Sequence, residues 1–121
     1  MNERTEQLKA RTKKFALDVL ALVRTLSVGD EAQSVGRQLI RSATSVGANY
    51  RAACRSRSRP EFIARLGVAL EESDESAFWL EILIEARLTG GNRASALLDE
   101  ANQLTAILAA SRITASATLN R

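Results

Sequence analysis

Histidine is absent from this 121-residue chain, and cysteine, proline, tryptophan and tyrosine occur once each. Without histidine there is no Ser-His or Cys-His nucleophile system and no imidazole to serve as general acid or base. The Glu-x-x-His ligand sets of di-iron helical bundles are excluded on the same ground. A lone cysteine, Cys54, replaces neither those ligands nor a zinc site, and it leaves no partner for an intramolecular disulfide. That usage is expected of a protein kept in a reducing cytoplasm. Gly-rich phosphate loops are missing; the Gly90-Gly91 pair reads as a helix terminator. Long apolar runs are missing too. Stretches such as Val19 to Val23 fall far short of the roughly 18 to 20 residues that span a bilayer, and Met1 to Lys14 has no apolar core for a signal peptide. The expectation is a cytoplasmic protein that is not an enzyme, with no cofactor, no metal site, no membrane contact and no small-molecule substrate.

What remains is a helical composition. Ala, Leu, Arg and Glu abound, aromatics make up only 4% of the chain, and a hydrophobic share of 45% suits one globular domain over 1–121. Helix one is expected over about 5–27, with Leu8, Phe15, Val19, Leu22 and Leu26 on one face. Ser27 and Asp30 are both candidate caps for helix two, expected over 31–56, whose stripe is Val35, Leu39, Ala43, Val46, Tyr50 and Ala53. Ser58-Arg59-Pro60-Glu61 then reads as a capping box, Glu61 reaching back to Ser58. Helix three is expected over 60–88, on Phe62, Leu66, Ala69, Leu70, Ala77, Leu80, Ile84 and Leu88. Phe78, Trp79, Ile82 and Leu83 lie off that stripe, so the segment is apolar nearly all round and calls for a second surface. Phe78, Trp79 and Ile82 are therefore candidate oligomer-interface residues. Helix four is expected over 93–114, capped by Asn92, with Leu97, Ala101, Leu104 and Leu108 inward and a fraying Ser/Thr/Ala-rich end from Thr114 to Arg121. Loops this short predict an antiparallel up-down four-helix bundle.

Charge is segregated along the chain. Residues 1–60 hold 12 basic and 5 acidic residues, a balance of +7, and residues 61–90 hold 2 basic and 7 acidic, a balance of −5. On a wheel of 100° per residue, Arg37, Arg41, Arg51 and Arg55 fall within about 40° of one line on the outer face of helix two, over a span of about 27 Å. Arg57 and Arg59 extend the stripe into the following turn. Guanidinium forks of this kind bind phosphate oxygens without reading sequence. The other reading pairs the same arginines with the helix-three carboxylates, among them Glu71, Glu72, Asp74 and Glu75, in an oligomer interface. That acidic cluster reads as a solvated or salt-bridged face rather than an ion site. No aromatic interleaves the stripe except Tyr50 on the opposite face, so base stacking has little support. Cys54, at the edge of the stripe, reads as a small core hydrophobe.

Gln38-Leu39-Ile40-Arg41-Ser42-Ala43-Thr44-Ser45-Val46, followed by Asn49, by Arg55-Ser56-Arg57-Ser58 and by Glu61-Phe62, makes a recognisable order of motifs. Leu66-Gly67-Val68-Ala69-Leu70-Glu71-Glu72-Ser73-Asp74-Glu75 and Phe78-Trp79-Leu80 complete it. In this order the chain resembles the four-helix-bundle proteins related to the 23S ribosomal RNA intervening-sequence proteins. Where that family often carries Asn-Ile-Ala-Glu-Gly, this chain has Asn49-Tyr50-Arg51-Ala52-Ala53. The Glu-Gly end is missing and a positive charge is added. The resemblance implies a small bundle assembling into a ring-like homo-oligomer, often a pentamer, with no catalytic residues to carry over. Among the relatives it implies is the accessory protein of diversity-generating retroelements, which binds nucleic acid. The expected function is thus a non-catalytic oligomer that contacts RNA or DNA through Arg37, Arg41, Arg51, Arg55, Arg57 and Arg59. The alternative is a protein-binding adaptor without nucleic acid.

Overall fold

In a computed structural model, residues 2–119 are described, the side chain of Leu119 excepted. Four helices account for nearly all of them: α1 Glu3–Val23, α2 Asp30–Cys54, α3 Arg59–Glu85 and α4 Arg93–Leu119. No strand occurs among the described residues. Each helix packs on its sequence neighbours, most extensively α2 with α3 and α3 with α4, while α1 and α4 meet most sparsely. The result is a four-helix bundle around one apolar core. Phe15, Leu22, Leu39, Leu66, Leu80 and Leu104 are among the largest side chains fully removed from solvent.

The helix ends have local causes. The Asn2 side chain accepts the Thr5 N–H at 2.8 Å and starts α1. α1 stops at Val23, four residues before the expected end, because the Thr25 N–H and hydroxyl both turn back to the Leu22 carbonyl. Neither Ser27 nor Asp30 caps α2; Gly29 occupies the N-cap and offers no side-chain bond, leaving Asp30 and Glu31 in the first turn to face the positive end of the helix. At α3, Ser58 caps the Glu61 N–H at 3.2 Å, but the Glu61 carboxylate accepts from Arg57 N–H at 3.0 Å rather than from Ser58.

α3 ends at Glu85, not at the glycine pair. Arg87 adopts φ 58°, its N–H bonds the Ile84 carbonyl, and the Leu88 N–H bonds the Leu83 carbonyl at 2.9 Å. This paired 5→2 and 6→1 closure ends a helix in the left-handed region, and an arginine fills the place usually taken by glycine. α4 in turn outlasts its expected end. The Ser/Thr/Ala-rich stretch stays helical to Leu119, with Ala115 buried and the Thr118 hydroxyl bonded to the Thr114 carbonyl. Asn120 and Arg121, also expected to fray, lie outside the described residues.

Two features tighten the packing. A Cβ added at Gly47 would lie 3.5 Å from the Thr12 backbone, and one at Gly36 would lie 3.1 Å from Val23, so small residues let α1 and α2 approach closely. Buried hydroxyls do the same at α3. Ser76 donates to Ser42 at 2.9 Å across α2 and α3, and Ser73 shares a 2.8 Å hydrogen bond with Thr105 on α4. No buried side-chain polar atom is left without a partner among the described residues, so these hydroxyls carry no desolvation penalty of the unsatisfied kind.

Candidate nucleic-acid interface

The arginines of the α2 stripe are all exposed, but they do not share one environment. Arg41 is engaged: it donates to Glu72 at 2.9 Å and to Glu75, both on α3. Its guanidinium pKa is raised, first by the hydrogen bond to Glu75. Glu75 is held below its ordinary value, first by the Trp79 indole N–H, which donates to it at 3.0 Å, and then by Arg41. Two of the four carboxylates in the acidic cluster are therefore spent on one arginine within the same chain. No group of His, Cys, Asp and Glu among the described residues has the arrangement of a metal site.

With Arg41 neutralised, the stripe divides. Arg37 is left towards the start of α2, and Arg51 and Arg55 stand at its other end. Arg57 lies in the connection to α3, and Arg59 opens α3. None of these five arginine side chains has a carboxylate partner among the described residues. By contrast, Arg65 pairs with Glu61, and Arg11 grips Glu100 through two 2.7 Å bonds and Gln103 through one of 2.9 Å. The unpaired charge thus accumulates where α2 ends and α3 begins.

Beside that charge lie two adjoining cavities that sequence periodicity gave no reason to expect. One, of about 620 Å³, opens between α1 and the end of α4, and the other, of about 400 Å³, lies under the α2–α3 connection. They share Thr5, Tyr50, Arg59 and Phe62. Burial pushes the Tyr50 phenol up to about 12, with Cys54 adding to the effect. Cys54 itself is half-buried and packed against the core.

The apolar segment of α3 is largely absorbed by the fold. Leu83 is fully buried and Trp79 is half-buried against the core, because α3 packs on both α2 and α4 and buries a wider arc than one stripe. Phe78 remains 50% exposed, edge-on to Trp79 with ring centroids 5.0 Å apart, and Ile82 is half-buried.

A family model described as 23S rRNA-intervening sequence protein matches residues 5–110, which takes in α2 and α3 whole, nearly all of α1, and α4 up to its last nine described residues. The chain belongs to this family. The fold of this 23S rRNA-intervening sequence protein family member is similar to a crystal structure, at 1.70 Å, of a protein of unknown function from the S23 ribosomal protein family of Bacteroides thetaiotaomicron. That similarity has a TM-score of 0.79 at 27% identity and covers 89% of this chain and 96% of that one. No curated protein matches the chain. Neither match indicates a catalytic family, and no described helix of this family member is long and apolar enough to cross a membrane.

Proposed function

We propose that this protein is a non-catalytic, homo-oligomeric helical bundle that holds RNA or DNA by its phosphates with little sequence discrimination. The observation that carries the reading is the gathering of Arg51, Arg55, Arg57 and Arg59, exposed and without carboxylate partners among the described residues, around the α2–α3 connection. Guanidinium groups in that state present hydrogen-bond forks to phosphate oxygens at no cost in broken internal pairs. Arg41 contributes less, since phosphate would have to displace Glu72 and Glu75. The family description, which refers to 23S rRNA, favours an RNA ligand.

The helices run antiparallel, up and down, in this reading. In support, Gly36 meets Val23 while Gly47 meets Thr12, and Gly67 meets Arg112 while Ser73 meets Thr105, so partners descend along one helix as they ascend along the other. Assembly of several copies would repeat the basic end and let weak phosphate contacts add by multivalency. The adaptor reading draws on a separate observation: Phe78 stands exposed on α3 with Glu71, Asp74 and Glu81, exposed carboxylates that have no basic partner among the described residues, a surface that suits a protein and repels phosphate.

A salt series decides between them. The logarithm of affinity for generic RNA or DNA should fall linearly with the logarithm of salt, by about 0.9 per phosphate on duplex B-DNA and about 0.7 on single strands. Arg51→Glu with Arg55→Glu should weaken binding on all sequences alike and flatten that slope while the oligomer persists. Absence of binding at about 50 mM salt would leave the adaptor as the function.

A further inference from the structure

Resting on the phosphate-binding reading, we propose that the paired cavities at the α2–α3 end receive a strand end bearing a phosphomonoester, its phosphate held between Arg4 and Arg59. The two cavities adjoin across Tyr50, Arg59 and Phe62, so they act as one bowl. Arg4 and Arg57 line its two halves, and Arg59 stands at the join. None of the three has a carboxylate partner among the described residues, and neither cavity is lined by any Asp or Glu. Arg11, the fourth arginine in the lining, is committed to Glu100. Glu6 is close enough to act on Tyr50 but is itself paired with Lys9 at 3.3 Å. The electrostatic demand of the bowl is therefore for an anion from outside.

Charge selects which anion. A monoester carries up to two charges and three free oxygens, where an internal diester offers one charge and two oxygens, so a site with several guanidinium groups gains more from the former. Below the arginines the larger cavity has an apolar floor of Leu8, Phe62, Ile107 and Ala115, on which a terminal base can rest. The Tyr50 hydroxyl, a phenol protonated at neutral pH, lies in both linings as a neutral group rather than a competing anion. Arg55, Arg57 and Arg59 follow one another across the α2–α3 connection, so the backbone contacts of the proposed function adjoin this bowl.

The test uses the full chain and four probes: one short single strand with a 5′-phosphate, the same strand with a 5′-hydroxyl, adenosine 5′-monophosphate, and adenosine. Phosphorylation should tighten strand binding by about tenfold. Arg4→Ala, a change outside the α2 stripe, should erase that preference while leaving the hydroxyl-ended strand bound as before. Adenosine 5′-monophosphate binding that adenosine does not show, lost in Arg4→Ala, also supports the site. If it comes without strand binding, the occupant is a free nucleotide, and both the nucleic-acid reading and the strand-end proposal fall. No phosphate preference in either pair, or a preference that survives Arg4→Ala, overturns the proposal.

Discussion

Glu75 stands where two side chains share one carboxylate. The Trp79 indole and the Arg41 guanidinium both donate to it, and both favour its ionised form, holding it below its ordinary value. The folded state therefore takes up this proton less readily than the unfolded chain. Its contribution to stability is complete above the ordinary carboxylate range, about 4.3, and is lost as the pH falls through the lower folded value. Trp79 is the sole tryptophan, so its emission reports directly on this site. We expect an emission change on acidification with a midpoint below the ordinary glutamate value. Glu75→Gln should remove that step and leave emission flat over the same range. A wild-type midpoint at or above the ordinary value would refute the triad as drawn. The indole is thus held in place by polar as well as apolar contacts, which makes Phe78 and Ile82 the better anchors for any second copy.

At the scale of the element, the sequence discloses most where burial follows hydrophobicity. Leu97, Ala101, Leu104 and Leu108 of α4 were legible as its inward face and are all buried. Thr12, Ser42, Ser73 and Ser76 were not, because periodicity of apolar residues passes over hydroxyls that bury themselves on a neighbouring helix or on their own carbonyls. Only their register offered a signal: Thr12 sits between Leu8 and Phe15 at helical spacing. The arginine stripe was legible in the same way, as a line on one helix. Its division was not, since the Arg41–Glu72 pair joins residues far apart in sequence, and the cavities depend on how four helix ends meet. The end of α3 was misread because no sequence rule favours arginine in a left-handed position. That position carries an expectation of its own. A non-glycine residue there costs about 1 kcal/mol, so Arg87→Gly should raise stability by up to that amount and the melting temperature by about 4 °C. An unchanged or lower melting temperature would mean that the Arg87 side chain contributes what its backbone loses.

The whole molecule is unevenly closed. α3 packs broadly on both α2 and α4, but α1 reaches α4 sparsely, and the best-defined contact there is the grip of Arg11 on Glu100 and Gln103. With side chains 36% and 28% exposed, the pair is partly screened, and Arg11→Ala should cost about 1 kcal/mol. Hydrogen exchange should then quicken in α1 before α2 or α3, whereas uniform quickening would show that the four helices open only together. Assembly belongs to this scale as well. Phe78→Glu with Ile82→Glu should reduce the mass seen by light scattering from a multiple of 13.2 kDa towards that value, and a wild type already monomeric at micromolar concentration would exclude Phe78 and Ile82 as a subunit contact. The Arg11 clasp has one more consequence. Because one side of the bundle is fastened by opposite charges, ionic strength is a coordinate of the protein's own shape. Salt high enough to weaken the proposed phosphate contacts would also slacken the seam beside the cavity, so the width of the bowl and the charge of its surroundings would change together.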